Sequence, residues 1–350
     1  MESVAALLRE TAERLFARAI TPAVLRLADG GGWPDAAWAA VEAAGLARAL
    51  AAEEDGVPIA DALGLLRVAG AHAVPLPLAE TMLAGWLLTV AGLPVPDGPL
   101  TVAPVVAEER LHLRRAGGAW HLSGRATRVP WARHAVAAAV LAEYAGAPHV
   151  VLLHAGDWRS APGANLAGEP RDTVEIAGPD IAAADRVAPL GLPGEALFAM
   201  GAVARAQQIA GALHALTAMT TTYAQERSQF GRPIGRFQAV QQTLAVLAAQ
   251  AAAAAAAADL GAEAAAEGLR PAPIAAAKAR AGEAAGIGAA IAHQVHGAIG
   301  FTQEHRLHVL TRRLWSWRDE FGNEAVWQRR LGAQMLAAGA DGLWAALTAA

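Results

Sequence analysis

The chain has 350 residues, with 28 Lys and Arg against 32 Asp and Glu, 11 His and no Cys. A net charge of -4 excludes the basic field that a phosphate backbone requires, so no nucleic-acid partner is expected, and the lack of Cys excludes disulfides, thiolate metal sites and Cys nucleophiles. Hydrophobic residues make up 55%, but Ala dominates them, and Ala is the strongest helix former and a weak core filler; the composition predicts a helical, closely packed chain of two or three subdomains.

The N-terminal stretch up to Phe16 sets Glu2, Arg9, Glu10 and Glu13 within an apolar pattern, which predicts an amphipathic helix and not a signal peptide. Gly30-Gly31-Gly32 and Trp33-Pro34 predict a turn before a helix carrying Trp38, Val41, Leu46 and Leu50. Leu63, Leu65, Leu66 and Val68 open a further apolar segment, and Leu93 to Gly98 marks a boundary, giving a helical domain over 1–97. Leu111 and Leu113 then alternate with His112 and Arg114, and Trp120 and Leu122 with His121 and Ser123. Two strands joined by a hairpin at Gly117-Gly118 are predicted, and with Val150 to Leu153 and Val174 to Ile176 they form a small antiparallel β domain over 98–190. From Leu197 onward helical pattern returns, broken at Gly231 to Pro233, Gly268 to Pro273 and Gly297 to Gly300. An antiparallel bundle of four or five helices over 191–350 is expected. The apolar stretches Met82 to Val95 and Ala251 to Ala258 are too short or too weakly hydrophobic for a bilayer, so no membrane span and a cytoplasmic setting are expected.

The most specific string runs Tyr223-Ala-Gln-Glu-Arg227-Ser-Gln229-Phe230-Gly231-Arg232-Pro233-Ile234-Gly235-Arg236-Phe237-Gln238. A second is Gln294-Val-His296-Gly297-Ala298-Ile299-Gly300-Phe301-Thr302-Gln303-Glu304, and a third Ala119-Trp120-His121-Leu122-Ser123-Gly124. Together they resemble the acyl-CoA dehydrogenase family over nearly the whole chain. The resemblance implies a mainly α fold with a small middle β domain. It implies FAD as cofactor, an acyl-CoA as substrate and an electron acceptor such as electron-transfer flavoprotein. By the same resemblance, Arg227, Gln229, Phe230, Gln238, Gln294, Gly297 and Asn323 are the candidate FAD-binding residues. A guanidinium fork suits phosphate oxygens, and glycine lets backbone approach a nucleotide. Ala298 stands where the family has a second Gly.

The departures carry as much information. The Thr-Glu-Pro and Gly-Ser-Asp loop that serves the flavin ring in the family is missing, with only Val-Ala-Pro-Val-Val-Ala-Glu-Glu after Thr101. The family's catalytic Glu-Gly-Thr falls on Phe321-Gly322-Asn323, which leaves Glu320, one residue earlier, as the only candidate base. The alternative Glu-Arg pair of some relatives falls on Gly201-Ala202, with Arg205 one turn away and given no role. What is kept reaches a neighbour's cofactor, and what is lost serves a subunit's own. The resemblance therefore points to the short partner subunit of α2β2 actinobacterial dehydrogenases acting on CoA thioesters of steroid fragments, paired with a related larger subunit. The alternatives are a self-associating dehydrogenase using Glu320 and a flavin-free scaffold.

Several features read more plainly. Gly286-Ile-Gly288 lies in a helical stretch and suits close packing rather than a dinucleotide loop. His293, His296, His305 and His308 read as surface or interface residues, with no metal expected. Trp315, Trp317 and Trp327 read as packing, and Arg312, Arg313, Arg329 and Arg330 as a solvated face, with Arg312 the one the family often shares.

Overall fold

The computed structural model describes residues 4–51, 57–181 and 186–348; Glu2 of the expected first helix lies outside them. The chain packs as two compact units, Met1–Ala62 with Pro75–Gly201, and Leu63–Val74 with Ala202–Ala350.

In the first unit α1 (Val4–Ala19), α2 (Pro22–Asp29) and α3 (Asp35–Ala43) precede α5 (Leu78–Val90); α4 (Ile59–Ala71), between them in the chain, belongs from Leu63 onward to the second unit. Thr21 caps α2 by accepting from the Val24 N–H, and Pro22 supplies the preset φ of a first helical turn. Every residue of α5 from Leu78 to Leu88 is buried, which explains why it shows no polar face. Thr81 satisfies its hydroxyl on the backbone of Leu100, accepting from the N–H at 3.0 Å and donating to the carbonyl at 3.3 Å. That ties α5 to the sheet.

The sheet consists of β1 (Leu100–Ala103), β2 (His112–Ala116), β3 (Ala119–Pro130), β4 (Ala137–Tyr144), β5 (Ala147–His154), β6 (Arg159–Ala161), β7 (Arg171–Ile181) and β8 (Val187–Pro189). The strand order is β6-β7-β3-β2-β4-β5-β8, with β1 beside β4. The β2–β3 hairpin forms where the glycines require it, with φ of 59° at Gly117 and 85° at Gly118. The expectation of a purely antiparallel unit needs correction: β1 and β2 both run parallel to β4, so the sheet is mixed. The physical reason lies in β4, whose first four residues are all buried and therefore lack the alternation that reveals a half-exposed strand. Leu111, Leu113, Leu122, Val140, Val151, Leu153, Val174 and Ile176 fill the core beneath it.

The second unit contains α6 (Ala196–Glu226), a two-stranded ribbon of β9 (Ser228–Gln229) and β10 (Arg232–Pro233), α7 (Gln238–Ala266), α8 (Pro271–His296), α9 (Leu307–Asp319) and α10 (Glu324–Thr348). The helix breaks fall at the three Gly-containing positions expected. Alanine and glycine let the backbones close up: a methyl group on Gly261 would come within 2.8 Å of Ala277, and one on Gly288 within 2.6 Å of Leu213. Gly288 is thus a packing glycine inside α8. By length and composition α7 is apolar enough to cross a membrane, against the expectation that no segment is. Its apolarity is mostly that of Ala methyl groups, and Leu247, Ala254, Ala258 and Ala262 are buried within the bundle.

Candidate cofactor-facing surface

α6 ends at Glu226, and the chain folds back through β9 and β10, with Gln229 opposite Arg232 and Ser228 opposite Pro233. Phe230 and Gly231 form the tip with φ of 50° and 79°, the left-handed pair of a tight hairpin turn. The Ile234 N–H donates to the Arg227 carbonyl at 2.8 Å and closes the ribbon. This geometry pushes Phe230 outward until it is 93% exposed, an unusual place for a large apolar ring. Arg227 and Gln229 are exposed beside it, and among the described residues the Arg227 guanidinium has no internal partner. Arg232 lies over the Phe237 ring at 4.2 Å, and Gln238 opens α7 as an exposed residue.

The second string ends α8. Gln294 is exposed, and Gly297 takes φ 64° and ψ -142°, a conformation open almost only to glycine, with empty space where a Cβ would stand. Ala298 is exposed, so the methyl that replaces the expected glycine meets solvent.

Sequence spacing did not show what joins the two strings. Tyr223, one turn before the end of α6, stacks on His296 with ring centroids 4.4 Å apart and donates its hydroxyl to the His296 carbonyl at 3.3 Å. His305 lies 4.7 Å from His296, while His293 stacks on Phe301 at 4.5 Å and Trp315 at 5.6 Å. The surface reading of these histidines is corrected here: His296 is 4% exposed and His293 half-buried. Trp315 packs as expected, and Trp317 and Trp327 are buried.

The segment around Phe321 is a dense polar cluster. Phe321 is buried, with φ 52°, and Gly322 follows at 84°. Glu320 accepts from Arg205 Nε at 2.8 Å; Arg205 is itself 1% exposed, donates to Gln208 at 2.6 Å and lies over the Phe321 ring. The chain's one lysine, Lys278, is fully buried and donates from Nζ to the carbonyls of Arg318 at 2.6 Å and Gly322 at 2.7 Å. Burial pushes Lys278 down to about 7, with Glu320 opposing that shift. Asn323 accepts from the Val326 N–H at 3.2 Å and so caps α10. Arg318 pairs with Glu324, holding that carboxyl below its ordinary range. Arg205 and Lys278 were missed as members of this cluster; a single lysine in an arginine-rich chain was the one available signal. Arg313 also departs from the solvated-face reading, since it is 1% exposed and donates to the Val309 carbonyl at 3.1 Å.

In the sheet unit the hydroxyls near the shortened loop are already used. Thr101 donates to the Pro130 carbonyl, and Glu109 accepts from both the backbone N–H and hydroxyl of Thr127.

Residues 194–336 match the family model for the acyl-CoA dehydrogenase C-terminal domain. Over 331 residues the chain is 30% identical to the acyl-CoA dehydrogenase IpdE2 of Mycobacterium tuberculosis, covering 88% of this chain and 89% of that one. The chain belongs to the acyl-CoA dehydrogenase family. A second relative, acyl-CoA dehydrogenase FadE34 of the same organism, is 34% identical over 147 residues, 41% of this chain but only 21% of FadE34. The fold of this acyl-CoA dehydrogenase chain is shared with the ChsE4-ChsE5 complex of Mycobacterium tuberculosis, at a TM-score of 0.84 and 23% identity over 96% of this chain and 98% of that one.

Proposed function

We propose that the chain is a subunit of an FAD-dependent acyl-CoA dehydrogenase that lends cofactor-binding groups to a site completed by a larger related subunit, and that it has no working base of its own. The observation that carries this reading is a contrast. At the ribbon, Phe230 is 93% exposed and Arg227 has no internal partner among the described residues, whereas at the base register Glu320 is paired with the buried Arg205. An unpaired guanidinium beside an exposed ring fits what a flavin dinucleotide presents, an anionic pyrophosphate between flat aromatic groups. Arg227, Gln229, Phe230, Gln238, Gln294 and Gly297 are the residues that would hold it. When bound, FAD supplies the acceptor for the hydride that leaves the β-carbon of the acyl thioester.

The chain's own residues divide the work. Arg227 neutralises phosphate charge, Phe230 covers a ring and excludes water, and Gly297 admits backbone to the nucleotide. Deprotonation at the α-carbon needs a carboxylate raised by desolvation and free to take a proton. Glu320 is held in a charge pair instead. The complex neighbour ChsE4-ChsE5 supports a heteromeric assembly. A CoA thioester of a steroid fragment is the substrate we assign, with an electron-transfer flavoprotein as acceptor.

The test is purification of the chain alone and co-expressed with a full-length homologue. Flavin absorbance should be absent from the first and present in the second. Stoichiometric FAD and thioester oxidation by the chain alone would overturn the reading.

A further inference from the structure

The two cofactor-facing strings meet at one buried ring. His296 Nδ1 lies 2.8 Å from the Ala292 carbonyl, an acceptor, so this nitrogen carries the proton. Nε2 therefore presents a lone pair, and it is buried without a partner. Around it stand Tyr223 from α6, His293 from α8 itself and His305 from the segment leading into α9, with His308 bound to the His305 carbonyl at 2.8 Å. Among the described residues, the charged or titratable groups that act on the ring are His293 and His305, and no carboxylate opposes them. Tyr223 lies four residues before Arg227 in the chain, and His296 adjoins Gly297. The stacked pair and the 3.3 Å hydroxyl bond from Tyr223 to the His296 carbonyl thus set the ribbon against the glycine turn.

We propose that His296 is a positioning residue whose neutral ring locks the Arg227 ribbon to the Gly297 turn, so that the cofactor-facing surface is assembled at neutral pH and released by acid. A second ring proton would be a buried donor with no acceptor, and a charge among histidines. Burial is the chief cause that lowers the His296 value below 6.5, and His305 and His293 lower it further, while the Ala292 bond opposes them. His293 and His305 are likewise lowered by burial. Because the folded values lie below the unfolded one, the stability these rings contribute is complete above about pH 6.5 and is lost as pH falls through the folded values.

The consequence for flavin rests on the function proposed above, so the lock is tested apart from it. Hydrogen exchange on the chain alone, corrected for intrinsic rates, should show protection at residues 226–237 and 294–302 falling together by roughly tenfold between about pH 7.5 and about pH 5.5. His296→Phe keeps a stacking ring that does not titrate and should abolish that loss. Unchanged wild-type protection, or the same loss in His296→Phe, overturns the lock. Should that variant fail to fold, Tyr223→Leu reads the other half of the stack: it should give the acid pattern at neutral pH, and full protection there overturns the proposal. In the flavin-loaded complex, acid should release flavin from wild type and not from His296→Phe. A complex without flavin at any pH sinks the proposed function but leaves the exchange result standing, whereas flavin held to low pH with pH-independent exchange sinks the lock alone.

Discussion

At the scale of single residues, charged groups sort by whether the chain satisfies them itself. Arg227 has no partner among the described residues, so Arg227→Ala should leave the melting temperature unchanged and weaken flavin retention by the complex about tenfold, the worth of one charge-assisted bond. Full flavin content after that substitution would remove the residue from the site. Glu320 is the opposite case. Its removal in Glu320→Ala strands the buried Arg205 charge and should cost about 3 kcal/mol in urea unfolding, without changing turnover of a flavin-loaded complex. Lost turnover with intact stability would make Glu320 a base. Lys278 gives a pH prediction with a clean background, being the chain's one lysine. Its folded value of about 7 lies below the ordinary 10.5, so the unfolded chain binds the extra proton between them. Stability should therefore fall as pH drops through that interval and level off near its lower end, with a slope of at most about 1.4 kcal/mol per pH unit. Lys278→Met should flatten that slope, and an identical slope in the variant would show that Lys278 is not its source.

At the scale of elements, glycine decides where helices approach. A Cβ on Gly211 of α6 would stand 1.8 Å from the Arg67 carbonyl of α4, and one on Gly70 of α4 2.1 Å from the Gln208 carbonyl. Gly211→Ala should accordingly lower stability by about 2 kcal/mol or more, since backbone must move to admit it; an unshifted denaturation midpoint would refute the close crossing. The helix ends were legible in the sequence because Gly and Pro act locally, and so was the β2–β3 hairpin, whose glycines take positive φ. Strand β4 was not, because burial on both faces erases alternation, and its parallel pairing with β1 depends on residues far away in sequence.

At the scale of the whole molecule, one flavin per pair of unlike subunits is expected, measured by absorbance against protein mass; two per pair would mean this chain builds a complete site. The two strings from 223 to 238 and 294 to 304, which we propose face the cofactor, stood out in the sequence because arginine, aromatic and glycine at short spacing need no tertiary partner to be recognised. The sequence by itself determined the family, the order of helical and β segments and the three Gly-containing helix breaks. Only the tertiary structure decided that Glu320 is bound to Arg205, that Lys278 is buried on two carbonyls, and that Tyr223 and His296 join the strings. The physical reason is range: capping, turns and periodicity act over a few residues, whereas burial and ion pairing are set by groups far apart in sequence, 115 positions for Arg205 and Glu320 and 192 for Arg67 and Asp259.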